Sequence, residues 1–209
     1  MQRHRTGLAG HPDRLRWNAR YEAASSVVFA VHPLAERVLS MPAPDGPAAD
    51  LACGLSGAAL LAAAAGRRVT AVDVSEVALR LLGQEAERRG LGTLITLVHA
   101  DLRAWRPQPG RYALVLCTGY WDRAVFPPAA EAVAPGGLLA WEAFTTGARR
   151  VRPSLPPGWC LAPGEPASLL PPGFEVIDQR DVPDASPAAK RSFLARRRPG
   201  QEAAAARAL

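Results

Sequence analysis

Apolar and polar positions alternate in blocks along most of this chain. Short apolar runs bounded by glycine, proline or acidic residues read as buried strands. Longer stretches with apolar residues three or four apart read as helices. In order, the pattern predicts a helix over 26–40 with Val28, Val31, Leu34 and Val38 on one face, then a Pro/Gly-rich connector over 41–47. Strand 48–52, helix 57–65, strand 68–73, helix 75–89 and strand 94–99 follow. Strand 112–117, helix 127–133 and strand 138–144 complete the alternation. Ser75 is placed to cap the helix behind it, and Gly90 to end that helix after Arg88 and Arg89. Strand–helix alternation of this kind predicts an α/β fold, a mostly parallel sheet with helices on both faces.

The last third reads differently. Residues 147–172 are rich in proline and glycine, with room for one short helix near 164–170. Residues 175–182 and 191–197 read as two further strands, bringing the predicted sheet to seven. The Pro-rich turn over 182–187 is short enough for antiparallel pairing, so the sheet is expected to end in a hairpin. Residues 1–15 read as a flexible basic arm, Trp17–Tyr21 as the start of the ordered domain over 16–198, and 199–209 as a disordered tail.

One stretch carries the chemistry. The strand over 48–52 holds Asp50 and leads into a glycine turn, Gly54-Leu55-Ser56-Gly57, which opens directly onto an Ala/Leu-rich helix. The next strand ends in Asp73. Glycine lets a backbone approach a ligand closely. A carboxylate at the tip of the following strand suits the two hydroxyls of a ribose. The arrangement is that of a nucleotide-type pocket.

Composition narrows the options. At 209 residues with 48% apolar content, one domain with a substantial core is expected. No apolar run is long enough to span a membrane. The polar, basic N-terminus lacks the apolar core of a secretory signal. Three widely spaced cysteines, Cys53, Cys117 and Cys160, form no CxxC pair, which supports neither zinc nor a disulfide framework and fits a reducing, cytoplasmic setting. The net charge of +6 divides unevenly: +4 over 1–20, +5 over 190–209 and −3 between. The excess sits at the ends, and the middle has no basic stripe interleaved with aromatics, so nucleic acid is not the expected partner. A single Lys among the 25 basic residues marks arginine as the default cation of this chain.

Five segments in order resemble the motifs of class I S-adenosyl-L-methionine (SAM)-dependent methyltransferases. They are Asp50-Leu51-Ala52-Cys53-Gly54, Ala71-Val72-Asp73-Val74-Ser75, His99-Ala100-Asp101-Leu102, Tyr112-Ala113-Leu114-Val115-Leu116-Cys117 and Ala134-Pro135-Gly136-Gly137-Leu138-Leu139. Residues 16–21, 120–123, 141–147 and 161–165 are similar, more narrowly, to the small bacterial methyltransferases grouped with tellurite-resistance TehB. The resemblance implies a Rossmann-like, mostly parallel seven-stranded sheet with an antiparallel C-terminal hairpin strand.

It also implies SAM as cofactor, a small-molecule methyl acceptor and no metal. Cofactor-binding positions are implied at Asp50, Ala52, Gly54, Ser56, Asp73, Val74, Asp101, Leu102 and Cys117. Asp50 would face the methionine portion, Asp73 the ribose hydroxyls and Asp101 the adenine amine, with Val74 and Leu102 flanking the adenine ring. Trp17, Arg20, Tyr21 and Phe144 are expected around the acceptor. Tyr120, Asp122 and Arg123 follow the fourth strand, where ligands bind in parallel sheets, and are the catalytic candidates. Arg123 would orient an anionic acceptor, and Tyr120 or Asp122 would assist deprotonation. Glu142 is a further candidate for the cavity wall. His32 is a candidate base without a partner legible in the sequence, and such a histidine is usually structural.

One departure stands out. Ser56 occupies the position where the family usually has the second glycine of its turn, which puts SAM affinity in question. A non-catalytic SAM-binding protein is therefore one alternative. A nucleic-acid methyltransferase working through the basic ends is another. A dinucleotide oxidoreductase fits less well, because Gly54-Leu55-Ser56-Gly57-Ala58-Ala59 lacks the second and third glycines in register. The acceptor and the oligomeric state are not legible in the sequence.

Overall fold

The apolar runs become strands of one sheet. In the computed structural model, which describes residues 7–182 and 189–200, the chain runs α1 (Pro12–Glu22), α2 (Pro33–Leu39), β1 (Ala48–Leu51), α3 (Gly57–Ala64), β2 (Val69–Asp73) and α4 (Glu76–Arg88). It continues with β3 (Ile95–His99), β4 (Tyr112–Thr118), α5 (Phe126–Glu131), β5 (Val133–Phe144), β6 (Phe174–Val182) and β7 (Lys190–Arg197). The seven strands lie in the order β3-β2-β1-β4-β5-β7-β6. β1 to β5 pair in parallel, and β7 runs antiparallel between β5 and β6. This is the Rossmann-like α/β sheet with its antiparallel C-terminal hairpin.

Each face of the sheet carries its own core. Helices α2, α3 and α4 bury Leu34, Val38, Leu60, Leu79 and Leu82 against one face. On the other, Trp121, Phe126, Trp141 and Phe193 form an aromatic cluster. The Phe126 ring centroid lies 5.5 Å from Trp121, 5.2 Å from Trp141 and 5.9 Å from Phe193, in tilted and edge-to-face arrangements. β1 and β4 are buried on both faces, which is why they read as continuous apolar runs instead of alternating ones. The order reverses between β1 and β4, so the crevice where such sheets take ligands opens beyond the ends of these two strands.

Several boundaries differ from the sequence reading. The helix expected over 26–40 is only α2. His32 precedes a proline, which disfavours helical backbone there, and Pro33 has no N–H to continue a helix from upstream. Residues 27–32 form no helix or strand, and the Ala30 carbonyl accepts the Gly57 N–H at 3.1 Å. α1 starts at Pro12, inside the segment read as a flexible arm. Proline at the first helical position suits a helix start, and Arg14 is tied to Glu76. β5 starts at Val133, so the Pro135-Gly136-Gly137 turn lies within it as an irregularity between the Tyr112–Val133 and Leu114–Leu138 pairs. The helix expected near 164–170 is one 3₁₀ turn, Ala167–Leu169. Residues 183–187 of the expected Pro-rich turn over 182–187, residues 1–6 of the arm and residues 201–209 of the tail lie outside the described residues.

Phe126 anchors the aromatic core at 0% exposure. Phe126→Ala is expected to cost about 3–5 kcal/mol of stability, since both burial and packing are lost. Urea unfolding of the two proteins measures it, and a loss under about 1 kcal/mol would show that the cluster is not cohesive.

Candidate functional site

The site begins with backbone conformation. After β1, Ala52 stands at φ 49°, in a region that only glycine enters freely, and Gly54 follows at φ 50°. A Cβ on Gly54 would lie 2.5 Å from the Tyr21 Oη, so this glycine answers both a left-handed turn and a close approach. A Cβ on Gly57 would lie 2.6 Å from the Phe29 carbonyl oxygen. Ser56, between them, needs no such freedom. Its φ is −73°, and its hydroxyl accepts the Ala58 N–H at 3.0 Å as the N-cap of α3. The departure from the family's turn is thus a cap at a position with ordinary backbone geometry.

Asp73, at the tip of β2, is 6% exposed. Its Oδ2 accepts the Gly54 N–H at 2.8 Å and its Oδ1 the Ser75 N–H at 2.7 Å. Burial raises its pKa, and those backbone donors oppose the rise. Asp50 lies one strand away and is 3% exposed, with an Oδ2 that has no hydrogen-bond partner. Burial pushes this carboxyl up to about 7, against the opposing pull of the Ser56 side chain, and Asp73 adds to the rise.

Helix α1 covers this floor. Arg14 Nε donates to Glu76 Oε2 at 2.8 Å, and the Ser75 hydroxyl donates to Asn18 Oδ1 at 2.7 Å. His11 Nε2 sits 3.6 Å from Asp101 Oδ2. Trp17 and Tyr21 stack with centroids 5.7 Å apart on the inner side. The Arg16 guanidinium bridges Trp17 and Trp159, at 5.1 and 4.3 Å from the ring centroids, and so links α1 to the 157–159 turn.

Under this cover lies a cavity of about 790 Å³, within the usual range of about 300–1,000 Å³ for small-molecule sites. Of the residues singled out in the sequence, Ala52, Gly54, Ser56, Asp73, Val74, Asp101 and Leu102 line it. So do Trp17, Arg20, Tyr21, Tyr120 and Phe144.

Five sequence candidates do not line the cavity, among them Glu142, whose carboxylate pairs with His32 and Lys190 instead. Asp50 is behind the glycine turn. Cys117 faces the core, with its thiol toward the Tyr120 carbonyl at 3.7 Å, and burial raises its pKa; Thr118 and Gly119 line the wall in its place. The Asp122 side chain accepts the Ala124 N–H at 2.8 Å in the turn before α5 and pairs with Arg103 at 2.5 Å. Arg123 is held by the buried Glu165, which also accepts the Ala162 N–H. The expectation that Asp122 and Arg123 meet the acceptor is corrected accordingly, because both side chains are committed to the loop and helix around them.

His32 does line the cavity and does have a partner. Its Nδ1 accepts the Leu34 N–H at 3.2 Å, so the ring proton is on Nε2, which donates to Glu142 Oε1 at 3.1 Å. Both nitrogens are occupied, and His32 has no lone pair free to act as a base. Burial raises the Glu142 pKa, but the His32 hydrogen bond and Lys190 together hold it below the usual carboxylate range. The sequence reading missed Trp159 and Leu155, which arrive from the Pro-rich segment with no periodic signal. Cys53, within the first motif, is both buried and on the cavity wall.

Residues 48–137, from β1 into β5, match the family model of a methyltransferase domain. That match covers under half of the chain, and the sheet shares its fold with methyltransferases solved with SAM or S-adenosyl-L-homocysteine bound. Among similar solved structures, geranyl diphosphate C-methyltransferase from Streptomyces coelicolor A3(2) is 12% identical with a TM-score of 0.68, over 90% of this chain and 99% of that one. TehB from Haemophilus influenzae is 18% identical with a TM-score of 0.65, over 82% of this chain and 64% of that one. A structure from work on the conversion of a disulfide bond into a thioacetal group during echinomycin biosynthesis is 18% identical with a TM-score of 0.65, over 93% and 96%. At these identities the likeness is one of fold. No curated protein matches the sequence. Among the described residues, no helix is long and apolar enough to cross a membrane, and no group of three metal-ligating side chains occurs.

Two predictions follow from the floor of the site. The folded-state pKa of Asp50 lies above its ordinary 3.8, so the unfolded chain gives up this proton first. The stability the group contributes is intact below about 4, falls as the pH rises, and is lost once the pH passes about 7. Asp50→Asn is expected to be more stable than the parent at pH 8, by on the order of 2–4 kcal/mol, with the gap closing toward pH 4; a gap independent of pH in denaturant titrations would refute this. Ser56→Ala should cost about 1 kcal/mol through the lost cap, and Ser56→Gly only a few tenths. Thermal unfolding checks the pair, with an expected drop of roughly 2–4 °C for the alanine variant.

Proposed function

We propose that this chain transfers the methyl group of SAM to a small-molecule acceptor whose nucleophile is soft or already ionised. The observation that carries the reading is the cavity at the sheet's switch point, bounded by the Gly54 turn, Asp73 and Asp101. Its residues suit the cofactor. Asp73 keeps lone pairs for the ribose hydroxyls beyond the two backbone bonds it accepts. Asp101 accepts from the adenine amine, and Val74 and Leu102 flank the ring. The Gly54 turn, beside Tyr21, receives the methionine portion, and the unpartnered oxygen of Asp50 supplies negative charge behind it.

Bound SAM supplies a sulfonium methyl, to which the acceptor's lone pair bonds as the carbon–sulfur bond breaks and the thioether departs with its electron pair. The chain's own task is then alignment and exclusion of water. Tyr120, Thr118 and Gly119 form the wall where the fourth strand ends, and α1 closes the opposite side. The titratable groups of the wall favour an acceptor that needs no protein base. His32 has both nitrogens engaged. Burial raises the pKa values of Tyr120, Tyr21 and Cys53, so none of the three ionises readily. A thiolate, or a selenium- or tellurium-centred anion, carries its own lone pair and releases no proton on methylation.

Calorimetry with SAM tests the reading, with NADH as control. Saturable SAM binding is expected, weakened at least about tenfold in Asp73→Ala through loss of charge-assisted hydrogen bonds. Absence of SAM binding by folded protein, or binding of NADH instead, would sink it.

A further inference from the structure

The outer end of the cavity, away from Asp73 and Asp101, is walled by Phe144, Leu155 and Trp159. Four cations stand around it. The Arg152 guanidinium lies 4.9 Å and the Lys190 ammonium 5.6 Å from the Phe144 ring centroid. Arg20 lies 5.3 Å from that of Trp17, and Arg16 bridges Trp17 and Trp159.

Their partners separate them. Arg16 has Asp13 at 3.5 Å, and Lys190 shares Glu142 with His32 at 3.5 Å. Arg20 and Arg152 have no carboxylate among the described residues and donate to no protein acceptor there. Some other arginines of the chain are tied to carboxylates, Arg14 to Glu76, Arg37 to Asp178, Arg103 to Asp122, Arg123 to Glu165 and Arg191 to Asp181, and these have no donors to spare for a ligand in the same way. A guanidinium resting face-on against an aromatic ring keeps its N–H edge free, and that edge matches a carboxylate or phosphate in two-pronged fashion. Arg20 lines the cavity, and Arg152 stands exposed over the Phe144 ring of its wall, so both keep donors free beside an apolar, aromatic slot.

Resting on the methyltransferase reading above, we propose that the acceptor is an organic anion with a flat, apolar body. The body lies against Phe144, Leu155 and Trp159, and the anionic group is held at the rim by Arg152 and Arg20. An inorganic oxyanion alone would satisfy the arginines and leave the aromatic wall unused. A neutral apolar acceptor would use the wall and leave both guanidiniums without a counter-charge.

The test uses matched acid and amide pairs that differ in charge and hardly in shape. The full chain, saturated with S-adenosyl-L-homocysteine, is titrated calorimetrically with cinnamate and cinnamamide, and with 2-naphthoate and 2-naphthamide. At least one acid is expected to bind about tenfold or more tighter than its amide at low salt, with the advantage shrinking as salt is added. In Arg20→Gln/Arg152→Gln the pair should converge to within about threefold, while S-adenosyl-L-homocysteine still binds. Amides that match their acids in both pairs, no binding of any of the four at millimolar concentration, or a preference that survives in the double variant would each overturn the proposal. Failure of S-adenosyl-L-homocysteine to bind the parent chain would instead overturn the methyltransferase reading beneath it.

Discussion

The site hangs on a single carboxylate. Asp73 accepts one N–H from the turn after β1 and one from the start of α4, and so locks these two loops together, beside the Cys53 N–H bonded to the Val72 carbonyl at 3.1 Å. A buried charge is costly unless it is hydrogen-bonded, and two backbone donors at 2.7 and 2.8 Å offset that cost. The donors are backbone groups, so the geometry is set by the fold and not by a neighbouring rotamer. An amide in place of Asp73 would turn an N–H toward one of the two donors. The Gly54 turn, its left-handed φ and the close approach of Tyr21 all presuppose this lock.

Helix α1 extends the same logic. Each of its attachments ends on a residue at or beside the cavity wall: His11 on Asp101, Arg14 on Glu76, Asn18 on Ser75, and Tyr21 over Gly54. The helix buries no residue completely, so it adds little to either core. Its packing energy is spread over polar contacts and one aromatic stack, a composition suited to an element that closes a site without being part of the frame. The Arg16 bridge to Trp159 then joins this cover to the Pro-rich segment, which has no regular strand or helix of its own beyond short 3₁₀ turns.

How much of this was legible in the sequence follows from where periodicity governs. From Ala48 to Phe144 the central strands are buried on both faces and the helices on one, so apolar runs and three-to-four spacing located each element. Glycine and acid placement located Gly54, Asp73 and Asp101 on one wall. The failures have local causes. Val28, Val31, Leu34 and Val38 keep helical spacing across Pro33, and the proline wins because it acts on backbone geometry that spacing does not sense. Asp122 and Arg123 follow the expected strand, but their partners, Arg103 and Glu165, come from distant segments that no local pattern announces. Trp159 reaches the site only because its loop folds back, with Leu161 N–H bonded to the Phe144 carbonyl at 2.8 Å. Ser56 shows the reverse case. The sequence flagged it as a defect, yet the glycine requirement falls on positions 54 and 57 and leaves 56 with ordinary φ.

The charge distribution of the site is layered, and the layering has a consequence for the proposed chemistry. Two buried carboxylates, Asp50 and Asp73, lie at the inner end, both with pKa values raised by burial. Unpaired guanidiniums stand at the outer end. A cationic ligand seated at the inner end favours the ionised form of those acids, so its binding draws a proton off Asp50 near neutral pH and strengthens as the pH rises through about 7. An anion at the outer end is attracted both by the rim and by the positive charge of the cofactor already in place. The field of the site therefore orders the two ligands by sign, cation inward and anion outward. That polarity holds the acceptor's anionic group at the rim and turns its other end toward the sulfonium carbon, without any side chain having to take up a proton.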